Sequence, residues 1–467
     1  MSKTVDLSKY TNDIIKTLQE LIQIKTVLDT PVEGGPFGQG NKDCLEKTLS
    51  VCEKLGFKVK NLDGYCGYAE IGEGDELVGI IGHLDVVPEG DGWKYPPYSG
   101  MIVDGEMWGR GTWDDKGPVV ISIYAIKALM DSGFKFNKRV RLIFGCNEES
   151  GSLCMEHYLK VDEPISYGVS PDASFPVIFA EKTINNIEIT GNSKDEGSIS
   201  LTYFDAGIVI NAVPDKCVFK LAYKCNNCKA NAINTIEKAL AEKNIKFEYS
   251  DDNNTLTYTV FGKAAHGSIP HMGINAASYA IYALKDIVKN DFIKLYSECI
   301  GLDVHGESFG CFASDEYGPL AMNVGLVHYE DNKFSIRINS RLPFNTNTDK
   351  MMNQINETMR KYSFASVKLL SSSKGFKVDK DSKMIKSLVN AYQEVTKDYQ
   401  TAPICSAGGT YAREFSNCVA FGPEMEGYGE VIIHQPNERI QIRAIEDIMK
   451  IYYKAYADLI EKVTFKK

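Results

Sequence analysis

Again and again along this 467-residue chain, a short apolar, β-branched run ends in His, Asp or Glu. Gly79-Ile80-Ile81-Gly82 delivers His83-Leu84-Asp85, and Arg139 to Gly145 runs into Cys146-Asn147-Glu148-Glu149. Tyr167-Gly168-Val169-Ser170 leads to Pro171-Asp172, and Val431-Ile432-Ile433 to His434. Between the first two lies a glycine-punctuated stretch, Gly109-Arg110-Gly111-Thr112-Trp113-Asp114-Asp115-Lys116-Gly117-Pro118, followed by a helix-patterned run from Val119 to Met130. Open α/β sheets bind ligands outside the carboxyl ends of their strands. Any one of these residues read alone is a surface carboxylate or a core histidine. Their recurrence at strand ends predicts one site.

Three carboxylates and two imidazoles suit two divalent ions about 3.5–4 Å apart. Zinc accepts such mixed nitrogen and oxygen ligation, and manganese tolerates it. Two neighbouring cations need a carboxylate between them, and Asp115, flanked by glycines at a helix start, is assigned as that bridge. His83 and Asp172 then hold one ion, and Glu149 and His434 the other. Asp85, two residues beyond His83, is placed to take the ring's free N–H and fix its tautomer. Glu148, beside a ligand but spare, is the general base for a metal-bound water.

The length exceeds what one hydrophobic core usually supports, so two domains are expected. From the amino terminus to about residue 182, helices at Tyr10 to Ile24, Lys42 to Leu55 and Val119 to Met130 alternate with strands, an α/β pattern. From Thr183 to about Lys380 the strands become mostly antiparallel with interspersed helices, an α+β pattern. After that the chain returns to α/β, with a strand read at 431–433 and a long last helix from Ile440 to Lys462. Residues 1–182 and 381–467 are therefore read as one split domain, and 183–380 as an insertion. A net charge of −10 without a long basic block argues against a nucleic-acid partner. Neither a signal-peptide pattern nor an apolar run of bilayer length is evident, so a cytoplasmic protein without membrane contact is expected. The twelve cysteines are read as reduced thiols, including the close pair Cys225 and Cys228.

At these residues the chain resembles the aminoacylase/carboxypeptidase/desuccinylase metallopeptidase family, and within it the PepV-type (Xaa-His or carnosinase-like) dipeptidases. The resemblance rests on Gly82-His83-Leu84-Asp85-Val86-Val87-Pro88, Gly111 to Pro118, Glu148-Glu149-Ser150, Pro171-Asp172-Ala173 and His434. It implies a zinc-peptidase-like α/β catalytic domain, a mixed sheet with helices on both faces, carrying an inserted α+β lid. It also implies roles for lid residues. Asn211, in Asn211-Ala212-Val213-Pro214-Asp215, would touch substrate, and His266 would stabilise the tetrahedral oxyanion. Arg341 would hold the substrate's terminal carboxylate, and the loop with Gly409 and Thr410 would line that end of the pocket. The expected activity is hydrolysis of unblocked dipeptides by a monomer, a homodimer being the alternative. The rival activity is that of a related N-acyl amino acid amidohydrolase. His271 and Arg337, near the matched lid residues, are read as structural.

Overall fold

The structure, a computed structural model, describes residues 5–429 and 431–464. It divides into two compact units, one of residues 1–181 with 376–467, the other of residues 182–375. The chain returns to the first unit earlier than the composition change near Lys380 indicated. Phe376 and Lys377 already pair with Glu181 and Ala180, which extends the first unit's sheet.

That sheet is mixed and nine-stranded. Across it run Lys58–Leu62, Cys66–Ile71, Arg139–Gly145, Leu77–His83, Tyr167–Ser170, Cys418–Ala420, Ile178–Glu181 and Phe376–Lys377, with Ile404–Ser406 also on Ile178–Glu181. Leu77–His83 lies parallel to both Arg139–Gly145 and Tyr167–Ser170, so all three carboxyl ends point the same way. Every residue of Leu77–His83 is buried, as expected of a central strand without alternation. Helix Lys116–Asp131 packs on this strand and beneath the last helix, Ile442–Lys462, which is why it is apolar nearly all round. A fully buried Ile or Leu contributes about 1.5–3 kcal/mol. Ile121, Ile123, Ile126 and Leu129 of that helix are all in that condition, so the helix that follows the Asp114-Asp115 loop is firmly seated.

The second unit is built on one eight-stranded sheet, antiparallel throughout. Strands such as Thr255–Phe261 alternate buried and half-buried residues, so one face carries the unit's core. Helices Asn226–Glu242, Ala276–Leu284, Asp291–Cys299 and Thr348–Met359 contribute Ile236, Ile281, Phe292 and Ile355 to that core. Cys225 and Cys228 close a disulfide at the start of Asn226–Glu242, where reduced thiols were expected; the other ten cysteines are free. Among the described residues no helix is long and apolar enough to cross a membrane.

Candidate active site

His83 is the last residue of its strand and wholly buried. Its Nδ1 lies 2.9 Å from the backbone carbonyl of Asp85 and so carries the proton, which leaves the Nε2 lone pair for another partner. Asp114 Oδ1 stands 2.9 Å from that Nε2 but out of line for a hydrogen bond, and Asp172 Oδ2 stands 3.7 Å away. The other oxygen of Asp114 lies 2.9 Å from His434 Nε2, which is also 3.1 Å from Glu149 Oε1. One carboxylate therefore stands between the two imidazoles and offers one oxygen to each. Asp172 flanks the first imidazole and Glu149 the second.

Asp114 thus stands between the two imidazoles, whereas the sequence reading assigned the bridge to Asp115, which groups with His83 and Asp172 and whose Oδ1 has no hydrogen-bond partner. Asp115 is turned back into the protein, where its Oδ2 accepts the backbone N–H of His83 at 3.0 Å. The preceding residue has to be glycine for this to happen. A Cβ on Gly82 would lie 2.6 Å from that same oxygen and 2.4 Å from Val119. Asp115 is fully buried and ties the end of the His83 strand to the start of helix Lys116–Asp131.

Asp85 also differs in detail from its expected role. Its backbone carbonyl, not its side chain, makes the closer contact with the His83 ring, the carboxylate lying at 3.5 Å. The carboxylate instead accepts the backbone N–H of Glu148 at 3.0 Å and of Glu149 at 3.1 Å. It fixes the turn that presents both glutamates. The strand read at 431–433 is absent; His434 sits on a loop with a positive φ of 59°.

The electrostatics follow from crowding. Burial by itself would raise the Asp114 carboxyl, but His434 and His83 outweigh it and hold the group below the usual carboxylate range. Asp115 and Asp172 are pushed well up by burial and by neighbouring carboxylates. Glu148 is pushed up to about 8, first by burial and then by the charges of Glu149, Asp85 and Asp114. Hydrogen bonds donated by the His434 ring to Asp114 and Glu149 lift His434 to about 10. Carboxylates this close cannot all ionise unless cations join them. An Nε2 without a hydrogen-bond partner, an excess of acidic groups and an all-N/O donor set fit two divalent ions. His83, Asp114 and Glu149 come within reach of one ion, as do His83, Asp115 and Asp172. With Asp114 between the imidazoles, His83, Asp114 and Asp172 would hold one ion and Asp114, Glu149 and His434 the other.

Sequence reasoning missed the support behind these groups. Glu438, wholly buried, accepts the backbone N–H of Gly111 at 3.0 Å and of Trp113 at 2.9 Å, and pairs with Arg110 at 2.8 Å. It ties the chain just past His434 to the loop that presents Asp114. The only signal was an acidic residue four positions after the histidine. Glu181, also buried, takes hydrogen bonds from the Thr410 hydroxyl at 2.8 Å and from Arg413 Nε at 3.0 Å, and so anchors the glycine-rich loop. Gly409 and Thr410 line one cavity with Asp114 and Asp172.

In the second unit, Asn211 and His266 are brought together. Ala212 bridges His266, Gly267 donates to the Asn211 carbonyl at 2.7 Å, and the His266 ring lies 2.6 Å from the Ser268 hydroxyl. Arg341 is buried near the end of strand Lys333–Leu342, opposite Ile184 and Ala321. Arg337 pairs with Glu188 at 2.8 Å on the same strand.

Residues 79–461 match the model of peptidase family M20/M25/M40, and the chain belongs to that family. It is therefore a peptidase of the metallohydrolase type. A Staphylococcus epidermidis protein named "Putative dipeptidase" is 33% identical over 470 residues, which covers 97% of this chain and 98% of that one. Human carnosine dipeptidase 1 has a similar fold, with a TM-score of 0.58 at 16% identity and 97% of each chain covered. A tripeptidase from Staphylococcus aureus is close to it in similarity, with a TM-score of 0.56 at 15% identity, covering 97% of this chain and 99% of that one. The fold is thus common to peptidases named for different substrate lengths.

Proposed function

We propose that the protein is a two-metal dipeptidase that cuts unblocked dipeptides. The observation that carries this reading is Asp114, one carboxylate with an oxygen 2.9 Å from each of two imidazoles. His83, Asp114, Asp172, Glu149 and His434 would hold two divalent ions, zinc first and manganese as the alternative, which would supply Lewis acidity and make a water at the site more acidic. Glu148 takes the water's proton and passes it to the leaving amine, a role that suits a carboxyl raised to about 8. Asp85 keeps Glu148 in place through its backbone N–H. To residues of the second unit we assign roles by chemistry alone: His266 and Asn211 as polar groups for oxyanion and substrate, and Arg341 as a bidentate fork for a carboxylate. Gly409 and Thr410 line the cavity beside Asp114 and Asp172. We read the compartment as the cytoplasm and the working form as a monomer.

The test is metal-reconstituted protein assayed in parallel on Ala-Ala, Ala-Ala-Ala and N-acetyl-Ala. Ala-Ala should be cut and the other two poorly. Preference for N-acetyl-Ala would replace the dipeptidase reading with an amidohydrolase one, and preference for Ala-Ala-Ala would remove the length restriction.

A further inference from the structure

Next to Asp114 and Asp172, within the first unit, lies a cavity of about 200 Å³. Its lining carries three charged side chains, Asp114, Asp172 and Glu424, and no basic one. Trp113, Ile178 and Ile433 supply apolar wall. Two of the three acids belong to the ligand set, so bound ions would use their charge. Glu424 lies outside that set.

Glu424 is held firmly, and among the described residues its carboxylate has one polar partner. Pro423 and Glu424 run parallel to Ala173 and Ser174, directly after Asp172. The Phe175 N–H donates to the Glu424 carbonyl at 2.8 Å, and the Ser174 hydroxyl donates to Glu424 Oε2 at 2.7 Å. Among the described residues no lysine, arginine or histidine pairs with it. A half-buried carboxylate beside apolar wall, answered by one neutral hydroxyl, has an acceptor oxygen left for a cationic partner. The cavity opens beside Asp114, where the dipeptidase reading puts the scissile bond.

We propose that Glu424 is a specificity residue whose carboxylate receives an ammonium group on the amino-terminal residue of the substrate. The assignment rests on the dipeptidase reading. Two groups share this chemistry, the α-ammonium and the side-chain ammonium of a first-position lysine. In either case Glu424 selects unblocked or basic dipeptides over N-acylated ones.

The experiment compares zinc-loaded wild type and Glu424→Gln, which keeps the shape and the Ser174 contact. Substrates are Ala-Ala, its neutral isostere lactyl-Ala, Lys-Ala and Nε-acetyl-Lys-Ala, with lactyl-Ala measured as a competitive inhibitor if it is not cut. A charged hydrogen bond is worth roughly a 10- to 100-fold change. Glu424→Gln should lower kcat/KM on Ala-Ala by that factor and leave lactyl-Ala within about twofold on the same scale, which identifies the α-ammonium. If instead Ala-Ala holds and Lys-Ala falls to the level of Nε-acetyl-Lys-Ala, the side-chain ammonium is the ligand. Equal losses on all four substrates, or none, overturn the proposal. The wild-type ratio of Ala-Ala to lactyl-Ala needs no variant, and a ratio near unity overturns the α-ammonium arm even if Glu424→Gln fails to fold. A wild type that cuts no unblocked dipeptide overturns the dipeptidase reading and this one with it. A wild type that cuts Ala-Ala beside an indifferent variant overturns this one alone.

Discussion

The carboxylate of Asp85 grips the backbone N–H of Glu148 at 3.0 Å, so the residue next to the first imidazole also sets the position of the base. It does the same for Glu149 at 3.1 Å. Asp85→Ala should therefore weaken metal retention and turnover together, each by roughly 10- to 100-fold, as loss of an outer partner of a metal site does. Metal titration beside steady-state kinetics checks this. A variant that loses turnover but binds metal normally would confine Asp85 to the base.

Asp114 and Asp115 should separate cleanly. Asp114→Ala removes the carboxylate shared by both imidazoles and should leave at most one firmly bound ion. Asp115→Asn keeps an oxygen for the His83 N–H and should retain two ions. Metal analysis after dialysis decides between them. Two ions in the Asp114 variant would return the bridge to Asp115.

Glu148→Gln should bind both ions and lose about 10²- to 10⁴-fold in kcat, the usual contribution of a general base. Turnover near the wild-type rate would show that Glu148 takes no proton.

Without metal, the protein should become less stable as pH rises. Glu148 sits near 8 when folded, above its ordinary range, so the folded state binds its proton more tightly. The stabilisation it gives when protonated is lost as pH climbs from the ordinary carboxylate range to about 8. His434, raised to about 10, adds stability at low pH that is lost as pH rises through that value. Both act in one direction. The melting temperature of chelator-treated protein should fall steadily between about pH 5 and about pH 9, and zinc should flatten the curve. A rise over that interval would contradict the assigned protonation states.

Glu438 and Arg110 should couple strongly. Removing one partner of a buried ion pair leaves an uncompensated charge, at a cost of about 3–5 kcal/mol. Glu438→Leu and Arg110→Met should each destabilise the protein, and the double variant should cost less than their sum. Additive losses in denaturant unfolding would mean that the pair adds no coupling.

The sequence carried the catalytic sheet clearly, because strands buried on both faces read as unbroken apolar runs and the ligands follow them directly. His434 was found for a reason that proved incomplete. Val431-Ile432-Ile433 has strand composition, but no neighbouring strand pairs with it, and the histidine is carried by a loop. Which of two adjacent aspartates stands between the imidazoles was invisible, since it depends on Asp115 folding back against the bare Cα of Gly82. In the lid, strand Lys246–Asp252 escaped notice because it is polar and exposed along nearly its whole length. Helix Asp291–Cys299 spans barely two turns, too short for its periodicity to stand out, though Asn290 caps it as expected.

Four of the five proposed ligands precede the inserted unit, and the fifth, His434, follows it. A chain still on the ribosome can complete the whole lid and yet lack the second imidazole beside Asp114. Glu438, which braces the Asp114 loop, arrives later still. In order of synthesis, then, the second imidazole and the brace behind the shared carboxylate both come after the inserted unit, so the proposed site is assembled from two separated stretches of chain.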